Sequence, residues 1–402
     1  MDAGKSLAVI ILLALGCFSR NASGTGRKVP DDAQSIIEQP DALRPFFDAL
    51  DSLQQRKIKQ LEILHIGDSH LQADFFPQQM RTRFQQDYGN AGRGIVFPYR
   101  AAKTNESFLW QSSANGNFIR RRLVHEADTL PLGLAGMGFF TRDSAASITM
   151  LLRQTDSLNY AFRELRMVCI NPDMAYLPQL KDTSGNMSNM ECTPMNGFCS
   201  YKKSFSEPLQ NIRLQISNPR LSSKGFNMHA LILGDTASGV IYHSVGINGA
   251  EYRHYDAAPL FFEESRLLHP ALIIFSLGTN EAYARNFSAD SLLFHANRVI
   301  SRLLAMHPNA CVLITSPGDA LKGRKYKNPN NLKAVKALRD YCRQKGYAFY
   351  NWYNAMGGAG SIHQWTRKSW AQKDKLHLTR AGYTLQGDML YRAILKAGEE
   401  KP

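Results

Sequence analysis

Two hydrophobic patterns alternate along this chain. Short apolar runs at 61–66, 240–245, 271–277, 311–315 and 348–352 each stop at a turn rich in Gly, Ser or Asn. They read as strands buried on both faces. Between them, apolar residues recur at helical spacing. One such helix starts just past Ser69 and runs toward Asp87, with Leu71, Phe75, Phe76, Met80 and Phe84 on its apolar face. Others cover 291–306 and 332–345. A further helical pattern over 31–59 carries Ile36, Ile37, Leu43, Phe46, Phe47, Leu50 and Leu53. Strand–helix alternation predicts an α/β fold with a parallel sheet and helices on both faces. It also sets Ser69, Gly249, Asn280 and Ser316 just beyond four strand C-termini, the edge where such sheets carry their sites.

The texture changes between 101 and 238. Alternating or apolar runs at 147–152, 164–170, 212–216 and 228–233 are separated by Asn-, Gly-, Ser- and Pro-rich turns. That is the pattern of a β-sandwich, and it is too long for a loop. The expected organisation is an α/β unit from 25–100 and 239–402, interrupted by an inserted β-sandwich at 101–238.

Residues 1–24 read as a targeting segment. Lys5 precedes an apolar stretch at 7–15 that is too short to cross a bilayer, which takes about 20 residues. Two processing sites compete. Ala22-Ser23-Gly24 suits ordinary export to the periplasm. Ala14-Leu15-Gly16-Cys17 is a loose lipobox, in which Cys17 would carry a lipid anchor on a membrane-bound lipoprotein. Five further cysteines, Cys169, Cys192, Cys199, Cys311 and Cys342, are an odd set for a disulfide scaffold. Cys192 and Cys199 flank a turn-rich hexapeptide and are spaced to close a short loop; no histidine stands nearby for a zinc site. The formal net charge of +14 favours anionic partners such as cell-wall polymers. The basic residues are scattered and no recognition motif accompanies them, which argues against nucleic acid.

Candidate chemistry lies at both ends of the chain. Gly67-Asp68-Ser69-His70 follows the first apolar run, so Ser69 stands on a strand-to-helix turn. Asp374-Lys375-Leu376-His377 lies near the other end. A serine hydroxyl is a weak nucleophile until a base within hydrogen-bond reach takes its proton. A histidine does this near neutral pH, and a carboxylate on its other nitrogen steadies it. Ser69, His377 and Asp374 supply these parts. Each also has a plainer reading, as a helix cap, a surface histidine or a helix-start carboxylate.

These motifs resemble the SGNH/GDSL hydrolase superfamily. Gly67-Asp68-Ser69-His70 is similar to its first block and Gly246-Ile247-Asn248-Gly249-Ala250 to its second. Gly278-Thr279-Asn280-Glu281 is similar to the third, and Asp374-Lys375-Leu376-His377 to the fifth. Glu281 departs from the aspartate usual there. The closer resemblance is to bacterial peptidoglycan O-acetylesterases. It rests on His65-Ile66-Gly67-Asp68-Ser69-His70, Gly89-Asn90-Ala91-Gly92-Arg93-Gly94 and Gly278-Thr279-Asn280-Glu281-Ala282-Tyr283, and on the place of the insert, which some of those enzymes fill with a carbohydrate-module-like sandwich. The resemblance implies a flavodoxin-like three-layer SGNH fold. It implies catalysis by Ser69, Asp374 and His377 without metal or cofactor. The oxyanion hole would comprise the Ser69 and Gly249 N–H groups and the Asn280 amide, with Gly246 the rival to Gly249. The implied partner is an O-acetylated glycan. Competing readings are an acetyl esterase on xylan or another polysaccharide, a glycan O-acetyltransferase and a non-catalytic glycan-binding protein. His70 is expected to pack or to line substrate, Arg93 is a loop cation or a sugar-site residue, and Trp110, Trp352, Trp365 and Trp370 are core residues or sugar platforms.

Overall fold

A computed structural model describes residues 35–125, 129–154 and 158–399. The expected signal segment 1–24, Cys17 included, lies outside them. Six strands form the central sheet, in the spatial order Gly239–Gly246, Gln60–Gly67, Pro270–Ser276, Cys311–Thr315, Ala348–Tyr350 and Ile37–Glu38. The first five run parallel. Their chain order across the sheet is 2-1-3-4-5, the flavodoxin-like winding. The order reverses beside Gln60–Gly67, so a crevice opens at the C-terminal end of that strand. Ile63, Leu64, Ile66, Ile273, Ile274, Leu313 and Ile314 are all buried. Helices cover both faces, which is why these strands read as continuous apolar runs.

Two sequence expectations change in detail. The helical pattern over 31–59 resolves into the edge strand Ile37–Glu38, a 3-10 turn at Pro40–Leu43 and the helix Arg44–Gln54. Pro40 and Pro45 lack the N–H needed inside a helix, so each stands in a first turn instead. The helix expected past Ser69 is split into Ser69–Gln72 and Phe75–Tyr88. The break falls at Asp74, whose backbone is left-handed (φ 64°) and whose buried carboxylate pairs with Arg81 and Arg93.

The segment between the first and second parallel strands builds two antiparallel sheets. One contains Cys199–Leu209, Phe162–Ile170, Phe226–Gly234, Met137–Thr141 and Phe118–Arg122; the other contains Leu177–Lys181, Asn211–Ser217, Ala145–Leu152 and Trp110–Asn115. Their apolar faces share one core, with Ile148, Met150, Ile212 and Leu214 meeting Met167, Phe139, Phe226 and Met228. Gly94–Val96 also pairs with Phe226–Gly234, so the antiparallel sheet begins before residue 101. Cys192 and Cys199 are free thiols, 3.9 and 3.7 Å from Met174 Sδ. No helix among the described residues is long and apolar enough to cross a membrane.

A buried polar seam ties the insert to the parallel-sheet unit. Glu264, on the helix Pro259–Ser265, hydrogen-bonds His229 Nδ1 and accepts the Leu134 N–H at 2.6 Å. Asn227 Nδ2 lies 2.8 Å from His229 Nε2. Glu264 and His229 are wholly buried. Glu264→Ala strands two buried partners and is expected to lower stability by about 3 kcal/mol or more, read from urea unfolding midpoints.

Candidate active site

The turn at 374–377 is shaped by its own aspartate. Asp374 Oδ1 accepts the Leu376 and His377 N–H groups, each at 3.0 Å. Lys375 takes φ 55° within this turn. Asp374 Oδ2 then faces His377 Nδ1 at 2.7 Å. Burial pushes the Asp374 carboxyl up, but the His377 ring and the two N–H donors outweigh it and hold the group below the usual carboxylate range. An ionised acceptor at Nδ1 selects the tautomer whose Nε2 carries a lone pair. That Nε2 lies 2.9 Å from Ser69 Oγ. The fold thus joins Ser69, His377 and Asp374, the three residues singled out in the sequence, in one hydrogen-bonded line.

Beside Ser69, the loop after Gly239–Gly246 presents a free donor. The Ile247, Asn248 and Ala250 N–H groups bond to Gly67 O, Gln72 Oε1 and Ile247 O. The Gly249 N–H has no acceptor among the described residues, and neither has the Ser69 N–H. Gly249 holds φ 81°, which favours glycine. Gly246 serves differently: a Cβ there would stand 2.5 Å from Leu71 Cβ and 2.6 Å from the Gln72 nitrogen, so its lack of a side chain lets the Ser69–Gln72 turn approach. This geometry favours Gly249 over Gly246 as a donor. Asn280 opens no free donor: its Nδ2 is held by Ala250 O at 2.9 Å and Asp68 Oδ2 at 3.3 Å. To serve an oxyanion it must release one of these, and the longer contact to Asp68 is the weaker.

A family model described as GDSL-like Lipase/Acylhydrolase matches residues 226–385, which contain Gly249, Asn280, Asp374 and His377. The chain carries a GDSL-like lipase/acylhydrolase domain. Ser69 lies outside the matched stretch, on the far side of the insert. A solved structure of a peptidoglycan O-acetylesterase shares the fold across 91% of this chain and 99% of its own, with a TM-score of 0.72 at 22% identity. A lipase/acylhydrolase from Enterococcus faecalis matches 41% of this chain and 80% of its own, at 22% identity and a TM-score of 0.32. A family two carbohydrate esterase from Cellvibrio japonicus matches 72% and 99%, at 12% identity and 0.31. No curated protein matches the sequence.

Around Ser69, the structure gives a place to several residues whose reading the sequence left open. His70 Nδ1 lies 2.9 Å from Tyr383 Oη, and its ring centroid is 5.4 Å from that of His377. The enclosed setting of its ring and the neighbouring His377 push its pKa down to about 3, so this half-buried ring is neutral. Asp68 is wholly buried, and burial raises its carboxyl to about 7 despite the His70 N–H it accepts at 2.9 Å. Arg93 is buried between Trp110 and Tyr160, 5.0 and 5.2 Å from their rings, and paired with Asp74; it stands away from solvent and cannot touch a glycan. All four tryptophans are core residues. Glu281 accepts the Tyr252 N–H at 2.8 Å, tying the third block to the helix Tyr252–Asp256 that follows the Gly249 loop.

Gln72 was not legible in the sequence, where it reads as one polar position of a helix. It is buried, and it accepts the Asn248 N–H at 2.6 Å while donating to Thr104 Oγ1 (2.7 Å) and Asn105 O (3.0 Å) of the insert. One side chain therefore holds both the Gly249 loop and the insert. Gln72→Leu frees the Asn248 N–H and lets Gly249 drift. Ester hydrolysis is expected to lose about tenfold or more in kcat with a smaller change in KM, measured by steady-state kinetics on 4-nitrophenyl acetate.

Proposed function

We propose that this protein is an exported serine esterase that removes O-acetyl groups from peptidoglycan through an acetyl-enzyme. The observation that carries the reading is the hydrogen-bonded line from Asp374 through His377 to Ser69, with the Gly249 and Ser69 N–H groups unoccupied beside it. The lipase/acylhydrolase domain supports ester hydrolysis. The fold shared with a peptidoglycan O-acetylesterase and the net charge of +14 support a polymeric anionic substrate.

In this reading Ser69 Oγ attacks the acetyl carbonyl carbon as His377 Nε2 takes its proton. Negative charge passes to the carbonyl oxygen, where the Ser69 and Gly249 N–H groups and the released Asn280 amide bind it. Collapse expels the sugar oxygen, which takes the proton from His377. Water then attacks acetyl-Ser69, giving its proton to Nε2, and acetate leaves as Ser69 regains its hydrogen. Asp374 stays ionised throughout and stabilises the imidazolium.

Purified protein is expected to release acetate from natively O-acetylated peptidoglycan, and Ser69→Ala to release none. Activity confined to acetyl-xylan, or acetyl transfer to a glycan acceptor without free acetate, would defeat the substrate or the reaction assigned here. Asp374→Asn leaves the imidazole in the wrong tautomer and is expected to cut kcat by about 10⁴. Asn280→Ala is expected to cost about 10²–10³ in kcat. Export rests on residues 1–24. Mass spectrometry of the mature N-terminus checks it, a start after residue 24 or at an acylated Cys17 being the two forms expected.

A further inference from the structure

Arg380 opens the long C-terminal helix Arg380–Glu399, three residues after His377. At about 3.6 Å per residue the two Cα atoms can be no more than about 11 Å apart. The Arg380 side chain is exposed, and no acidic group pairs with it among the described residues. It lies instead on a pair of aromatic rings, its guanidinium carbon 4.2 Å from the Phe108 centroid and 5.9 Å from that of Phe75. The two rings stack, with centroids 5.1 Å apart and planes 16° from parallel. Both are half-buried. Phe75 begins the helix that follows the Ser69–Gln72 turn. Phe108 belongs to the insert loop whose Thr104 and Asn105 are gripped by Gln72. The helices that directly follow the nucleophile's turn and the base's turn, together with the insert, thus contribute to one cluster.

We propose that Arg380, held on the Phe75–Phe108 pair, is a carboxylate-binding subsite that selects acetylated glycans bearing an acidic substituent near the ester. This deepens the esterase reading and rests on it for the place of the reacting ester. A guanidinium lying on arenes is restrained by cation–π attraction. Its N–H fork stays available at the edge, where it matches both oxygens of one carboxylate. The exposed parts of the rings offer an apolar surface to sugar C–H groups. A neutral xylan chain leaves the fork empty. A glycan with an acidic ether on the ring, or with a short peptide branch ending in carboxylates, fills it.

The test is calorimetric binding of a disaccharide–tetrapeptide muropeptide to Ser69→Ala protein, with and without Arg380→Gln or Arg380→Lys. Three probes are compared: this muropeptide, the same disaccharide after amidase removal of the peptide, and a neutral xylo-oligosaccharide. Arg380→Gln is expected to weaken muropeptide binding about tenfold or more relative to any change with the neutral probe. Arg380→Lys should lose less, and high salt should shrink the difference. Retained dependence on Arg380 with the peptide-free disaccharide assigns the carboxylate to the sugar; dependence only with the peptide assigns it to the branch. Equal losses on charged and neutral probes, or none, overturn the subsite. Acetate release by the wild-type protein is scored separately. Arg380-dependent binding without acetate release keeps the subsite and sinks the esterase, and the converse does the opposite.

Discussion

Parallel pairing of Gln60–Gly67 with a strand on each side is the constraint from which the site follows. Its neighbours Gly239–Gly246 and Pro270–Ser276 end in register with it: Gly246 and Ser276 stand opposite Gly67. Three chain reversals are thereby crowded onto one edge, and they deliver Ser69, Gly249 and Asn280 to a common crevice. Only small residues permit this. The Ser69–Gln72 turn rests against Gly246, and Tyr255 Oη donates to Gly67 O at 2.6 Å to close the strand end from below. The histidine arrives independently, on a turn whose aspartate forms both the local fold and the link to the ring.

The parts of the site legible in the sequence were those whose chemistry is local. A serine after an apolar run, an Asn at the next strand end and an Asp three residues before a His each announce their turn by residue type. The parallel sheet was legible for the same reason: burial on both faces leaves uninterrupted apolar runs. What escaped depends on distant partners. Gln72 acquires its importance from Thr104, Asn105 and Asn248, none of which marks it in advance. Asp74 splits a helix because Arg81 and Arg93 converge on it. Arg93 reads equally as a loop cation or a sugar-site residue, since its aromatic cover, Trp110 and Tyr160, comes from the insert. Several insert strands, among them Trp110–Asn115 and Cys199–Leu209, alternate too weakly to stand out, because polar residues such as Ser112 and Ser200 take buried positions in them.

The arrangement around Asn280 shows a site at rest. Its amide is satisfied by Ala250 and Asp68, so no buried donor is left bare before substrate arrives. Asp68 has the ordinary burial penalty of an enclosed carboxyl, offset in part by the His70 N–H. The Gly249 and Ser69 N–H groups, in contrast, already stand open. The oxyanion site is therefore partly formed and partly latched, with the latch made of the residue just before the nucleophile.

The seam formed by Glu264, His229, Asn227 and the Leu134 amide has an evolutionary corollary. A module joined by a flexible tether can be swapped between enzymes as a cassette. Here both lobes contribute to one sealed polar contact, and the sandwich also holds the glutamine that steadies the loop beside the serine. Drift on either side must be matched on the other, so the two lobes are expected to diversify as one inherited unit.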